Sequence, residues 1–166
     1  MPLTTTMVRR GWVLALPLAL LVLGVSLSAE GVDVGEGASI FGAQCAACHQ
    51  ATGEGLPGVF PPLADHVHEL IAAEGGRPYP ILVVLYGLQG PITVNGNAYD
   101  SLMPPFGHLT DEEISDVLNY VMTAWGDAAR LEEEFEPYAP AEVAAERDRA
   151  LNAMEVREFR STLGLD

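Results

Sequence analysis

The stretch AQCAACHQATGEG, residues 43–55, holds both cysteines of the chain, Cys45 and Cys48, with His49 directly after the second. Three chemistries use such a spacing. A redox dithiol needs a strand leading into the motif within a βαβ unit, whereas the flanking sequence reads as short helices. Structural zinc needs four ligands, and no second cysteine pair or paired histidines stand at ligand spacing. The third reading, C-x-x-C-H as a covalent haem attachment, uses every residue present. Cysteines three apart on a helical turn place both sulfurs on one side to bond two vinyl groups, and the adjacent imidazole reaches the iron.

Working outward, residues 37–49 fit a helix carrying Ile40, Phe41 and Cys45, and the glycines and prolines from Gly53 to Pro62 then force a loop. Asp65 is expected to cap a second helix with Val67, Leu70 and Ile71 inward, ended at Gly75-Gly76. Ile81 to Leu85 reads as a short helix with Pro80 in its first turn and Gly87 at its end. Asn95-Gly96 signals a small hairpin. The clearest helix is 111–125: Thr110 and Glu113 form a capping box, and Ile114, Val117, Leu118, Val121, Met122 and Trp125 recur at helical spacing. Gly126 stops it.

A low-spin electron carrier needs a second axial ligand. Met1 and Met7 lie in the N-terminal segment, residues 1–29, that reads as an export signal, Met122 in the apolar stripe of a helix and Met154 in the tail. Met103 alone sits in an irregular loop, before Pro104 and Pro105, which stiffen it. His66, His68 and His108 are rivals for that position, each read as a surface or loop residue.

With these residues in view, the chain resembles a small monohaem class I cytochrome c. GLPGVFPPLA (residues 55–64) and MPPFGHLTDEEI (residues 103–114) are similar to stretches of bacterial cytochromes of that family, and the likeness covers residues 35–126. The resemblance implies an all-α fold of short helices wrapped round one covalently bound haem c. Cys45 and Cys48 would attach the haem, and His49 and Met103 would ligate its iron. Pro61 would offer its carbonyl to the other ring nitrogen of His49, and Leu63 would pack on the haem. Pro62 stands where the family often has asparagine, so no side-chain hydrogen bond is expected there. The family's Gly-x-x-x-aromatic pattern is matched by Gly37 and Phe41, with Val117 and Tyr120 as partners on the last helix, so those helices should cross closely at Gly37. Phe60, Leu63, Leu85, Ile92 and Phe106 are expected to wrap the haem.

The ends of the chain differ from its middle. Arg9 and Arg10 precede an apolar run from Trp12 to Leu27 that ends in small residues, the order of a secretory signal over residues 1–29; an uncleaved membrane anchor is the alternative. Either places the haem domain, residues 30–127, outside the cytoplasm. Residues 128–166 read as an acidic linker and a solvated surface helix with a loose stripe through Val143, Leu151, Met154 and Phe159, dispensable for the haem spectrum. The chain has eight arginines, no lysine and 23 acidic residues, a formal net charge of -15. Loss of Arg9 and Arg10 leaves six arginines against those 23 acids, or -17. Such a surface excludes nucleic acid and favours a basic redox partner. The expected role is one-electron transfer without catalysis, linking a dehydrogenase or quinol-oxidising complex to a terminal oxidase or reductase. The alternative is a haem with a labile sixth ligand, acting as a peroxidase-like catalyst or gas sensor.

Overall fold

A computed structural model describes residues 1–2 and 34–165; the expected signal or anchor lies outside the described residues. The described residues from Val34 onward form one compact unit. Its helices are α1 (Val34–Ile40), α2 (Ala46–His49), α3 (Val67–Ala72), α4 (Pro78–Tyr86), α5 (Asp111–Ala124), α6 (Pro140–Arg147) and α7 (Ala153–Thr162). One hairpin, β1 (Ile92–Val94) with β2 (Asn97–Tyr99), is the only sheet among the described residues, and the fold is the expected all-α one.

α1 runs into α2 through a π-helical turn, Phe41–Cys45, which brings the cysteine motif to the end of the helix. α1 crosses α5 at Gly37, where a Cβ would lie 2.2 Å from the Asp116 carbonyl oxygen and 2.9 Å from the Tyr120 Cβ. Only glycine permits that approach. Beside the crossing, Phe41, Tyr120 and Trp125 form a cluster with ring centroids 5.2–5.8 Å apart, a geometry favourable to aromatic quadrupoles.

α5 starts at the capping box read from sequence: Thr110 Oγ1 accepts from Glu113 N (3.1 Å) and Glu113 Oε2 accepts from Thr110 N (2.7 Å). Ile114, Val117, Leu118, Val121 and Met122 turn inward, and Gly126 follows in the left-handed region with φ 87°. The 81–85 run is helical, but α4 begins earlier, with Pro78 in its first turn. In the hairpin, Ile92 faces Tyr99 and Val94 faces Asn97. Asn95 and Gly96 have φ 49° and 76°, as a two-residue turn of the I′ kind requires.

Two expectations are corrected. Asp65 does not cap α3; its own φ is 62°. The cap comes from Asp127, whose carboxylate accepts the backbone N–H groups of Asp65 (3.0 Å) and His68 (3.3 Å) and holds His68 Nδ1 at 2.7 Å. The C-terminal region, moreover, is not a solvated surface helix. It forms two helices, and Val143 and Val156 are both 0 % exposed. Met154, from the expected stripe, faces solvent. α6 packs on α4 and α5, and α7 packs on α4. Arg77 fastens α6 through Glu142 (2.7 Å) and the carbonyls of Glu136 and Pro137. Arg147 ties it to Asp111 and to the carbonyls of Gly107 and Leu109.

Candidate haem site

The cysteine motif opens onto two adjoining cavities that share Cys45, His49, Pro61, Leu88, Ile92 and Met103 as walls. The first is lined by apolar side chains from α3, α4, α5 and the hairpin. The second is floored by Cys48, Phe60, Leu102, Pro104 and Phe106.

His49 closes α2 and is 7 % exposed. Its Nδ1 lies 2.9 Å from the Pro61 carbonyl oxygen. A carbonyl only accepts, so Nδ1 carries the proton and Nε2 keeps a free lone pair for a metal. Burial lowers the imidazole's pKa below its ordinary value, against a raising effect of the Pro61 bond, which keeps the ring neutral and able to ligate. The loop carrying Pro61 folds back on itself: Gly55 N donates to the His49 carbonyl (2.9 Å) and Leu63 N to that of Gly53 (2.7 Å). At Gly55 a Cβ would meet the Phe60 carbonyl oxygen at 2.4 Å, so this return needs glycine.

Met103 is held from the other side. It exchanges both backbone hydrogen bonds with Leu88, at 2.9 and 3.1 Å, and Phe106 N donates to the Val84 carbonyl at 2.8 Å. The loop thus lies along the end of α4. Gly87 makes room for it, since a Cβ there would come within 2.5 Å of the Met103 carbonyl oxygen.

The thiol chemistry opposes a redox dithiol. Burial, with a smaller effect of Cys48, pushes the Cys45 thiol up to about 11, whereas reactive dithiols are shifted down. Among the described residues no group of three or more His, Cys, Asp or Glu side chains is placed to hold a metal ion, so zinc finds no donor set. An apolar cleft with two half-buried cysteines at its wall, a neutral histidine with a free Nε2 and a thioether fits a haem.

The Cytochrome c family model matches residues 34–125. The chain is a class I cytochrome c. It carries one covalently bound haem c with iron. Cytochrome c-552 of Thermus thermophilus is 52 % identical over 130 residues, 78 % of this chain and 98 % of that protein. That length exceeds the stretch matched by the family model, so the likeness runs beyond it. Cytochrome c6 of Thermosynechococcus vestitus is 33 % identical over 111 residues, 66 % of this chain and 86 % of its own. The gluconate 2-dehydrogenase cytochrome c subunit of Pantoea cypripedii is 32 % identical over 104 residues, 61 % of this cytochrome but 22 % of that subunit.

Of the residues singled out from sequence, Cys45, His49, Pro61 and Met103 line both cavities, Leu63 the first and Cys48 the second. Phe60, Ile92 and Phe106 are in the walls as expected, but Leu85 is buried in the core outside them. His66, read as a surface residue, is buried in the first cavity's wall with Nδ1 on Glu69 at 2.9 Å. His68 is bound to Asp127 and His108 is exposed; neither lines a cavity. Sequence reading missed Tyr79, Tyr138 and Arg160 in the first cavity's wall. The last two come from the C-terminal region, whose polar composition gave no sign of an inward face.

Proposed function

We propose that this cytochrome c, an electron carrier by family, works outside the cytoplasm with histidine–methionine ligation: His49 through Nε2 and Met103 through its sulfur. Cys45 and Cys48 form the thioethers, Pro61 orients His49, and Leu63 packs against the macrocycle. The bound haem supplies a one-electron Fe(II)/Fe(III) couple. The protein's own residues hold its ligands rigid and keep water out, and thioether ligation with burial raises the potential. Residues 1–29 act as the export signal or anchor, 30–127 carry the attachment and ligand residues, and 128–166 complete the pocket. The partners are redox proteins, a dehydrogenase or quinol-oxidising complex on one side and a terminal oxidase or reductase on the other. Relatives that are cytochrome subunits of gluconate, alcohol and fructose dehydrogenases support the first of these.

The observation that carries the ligation is the double backbone clamp of Met103 to Leu88, in the walls shared with Cys45 and His49. A ligand so held favours a carrier over an open-site catalyst. Met122 also lines the first cavity, so the two methionines are tested together. Met103→Ala keeps the haem covalently attached, loses the sulfur-to-iron charge-transfer band, lowers the potential and admits carbon monoxide or cyanide. Met122→Leu, a near-isosteric exchange costing less than about 1.5 kcal/mol, keeps the band. An unchanged spectrum in Met103→Ala overturns the assignment and with it the preference for a carrier.

A further inference from the structure

Away from the haem site, the connector between α5 and α6 walls an apolar groove with an acidic rim. Asn119 and Thr123, one turn apart on α5, form one side, and side chains from 128–137 form the other. No residue of this groove lines either haem cavity. The two lie on different faces of α5, whose Val117, Leu118, Val121 and Met122 turn to the first cavity. Ala128, Leu131 and Phe135 are half-buried and packed against the core, with the Phe135 ring 6.2 Å from that of Tyr138. Between Leu131 and Phe135, the side chains of Glu132, Glu133 and Glu134 are exposed.

Residues 131–139 form neither helix nor strand, yet the connector is fastened at both ends. The Asn119 side chain accepts from Tyr138 N at 2.7 Å and donates to the Tyr138 carbonyl at 3.0 Å. Arg77 holds the carbonyls of Glu136 and Pro137 at 3.0 and 3.3 Å, and at the near end the Asp127 carboxylate is bound into the α3 cap. The groove is therefore formed before anything binds, which lowers the ordering cost of an occupant. Its three adjacent carboxylates have no internal counter-charge. Among the described residues none of them is in an ion pair, and Arg77, Arg130, Arg147 and Arg149 go to Glu142, Asp65, Asp111 and Glu146 instead.

Charge decides between occupants. A second copy of the chain is repelled, since without residues 1–29 it carries six arginines against 23 acids. A small inorganic cation would meet the rim but leave Leu131 and Phe135 uncovered. A segment with cationic side chains flanking an apolar one satisfies both, with the apolar group at the centre of the contact and the charges at its edge. We propose that this groove docks a lysine- or arginine-bearing segment of a protein partner, with an apolar side chain of that segment seated against Leu131 and Phe135. The carrier is then held by a face that leaves the Leu102 edge of the second cavity open to electron exchange. The inference builds on the reading of this chain as a carrier with protein partners.

The test titrates a synthetic peptide, a phenylalanine with a pair of lysines on either side, into full-length reduced holoprotein and follows the backbone amides by NMR. Saturable shifts are expected at Thr123, Ala128 and residues 131–135, with Leu102 unmoved. Exchanging the phenylalanine of the peptide for glycine should weaken binding at least about tenfold, the effect of losing a buried aromatic side chain. Glu132→Gln, Glu133→Gln and Glu134→Gln together should weaken it by a similar factor, since three exposed pairs are lost. The control removes the same charge from scattered exposed positions, Glu54→Gln, Glu74→Gln and Glu158→Gln, and should leave the affinity nearly unchanged. All six positions are on the surface, so both variants fold. Equal weakening in the two variants, or shifts spread over the acidic surface, reduces the contact to diffuse electrostatics and overturns the proposal. So do shifts centred on Leu102, which place docking at the cavity edge, and equal binding of the glycine peptide, which leaves the apolar floor without a role. The sulfur-to-iron band is recorded alongside: its absence from the wild type overturns the carrier reading while leaving the groove result standing.

Discussion

At the scale of single residues, the Met103 loop depends on a position with no side chain. Gly87 has φ 77° and ψ -176°, a region essentially restricted to glycine that costs other residues about 1–3 kcal/mol. Its Cβ would also press on the Met103 carbonyl oxygen. Gly87→Ala is therefore expected to lower the melting temperature and weaken the sulfur-to-iron band, because strain is relieved by moving the Met103 strand off Leu88. Gly58→Ala separates backbone strain from contact: its φ is 73°, yet nothing lies within 4 Å of a Cβ there. It should cost stability while leaving the band intact. Equal loss of the band in both variants would show that the close approach at Gly87 is immaterial. The place of His49 and Met103 in the cavity walls was legible in sequence because their signals are local, an adjacent cysteine motif and a pair of prolines. His66 and Arg160 were not, because a polar residue gives no local sign of being turned into a cavity.

At the scale of elements, α5 is the part that local chemistry specifies most fully. The backbone and side chain of Thr110 hold the Glu113 carboxyl below its usual range. A lowered folded pKa means the interaction is fully present above the unfolded pKa and is lost as pH falls through the folded one. The melting-temperature gap between wild type and Glu113→Ala should accordingly be present at neutral pH and shrink on acidification through that window. A gap that widens toward acid contradicts the capping role. Other elements are fixed from a distance. The α3 cap was misassigned to Asp65 because the carboxylate that serves it, Asp127, stands 62 residues farther along the chain. α6 and α7 were merged because only five residues, 148–152, separate the two short helices. The burial of Val143 and Val156 has a consequence. A fully buried valine contributes about 1.5–3 kcal/mol, and truncation after Asp127 removes both together with the Tyr138 and Arg160 walls of the cavity. The truncated protein is expected to melt far lower and to lose or broaden the sulfur-to-iron band, the reverse of what a solvated helix implies. An unchanged spectrum and melting temperature would return the extension to the surface role first read for it.

At the scale of the whole molecule, charge and apolar surface make opposing claims on how a partner docks. The chain without residues 1–29 carries six arginines against 23 acids, and several arginines are committed inside the fold: Arg77 to Glu142, Arg130 to Asp65, Arg147 to Asp111 and Arg149 to Glu146. What remains toward solvent is strongly negative, which steers a basic partner over distances up to about a Debye length, roughly 8–10 Å at physiological salt. Close to the second cavity, however, Leu102 is 59 % exposed, with Leu56 and Val59 also open on the loop that leads to Phe60, and contact there would be apolar and insensitive to salt. The two contributions separate kinetically. If long-range charge sets the encounter, the second-order rate of electron transfer with a basic partner falls steeply as ionic strength rises, while the first-order rate within the complex does not change. If the apolar edge sets it, the second-order rate is flat in salt and falls on Leu102→Ser, which alters the contact without altering the charge. A rate insensitive to both would place the docking surface elsewhere on the molecule.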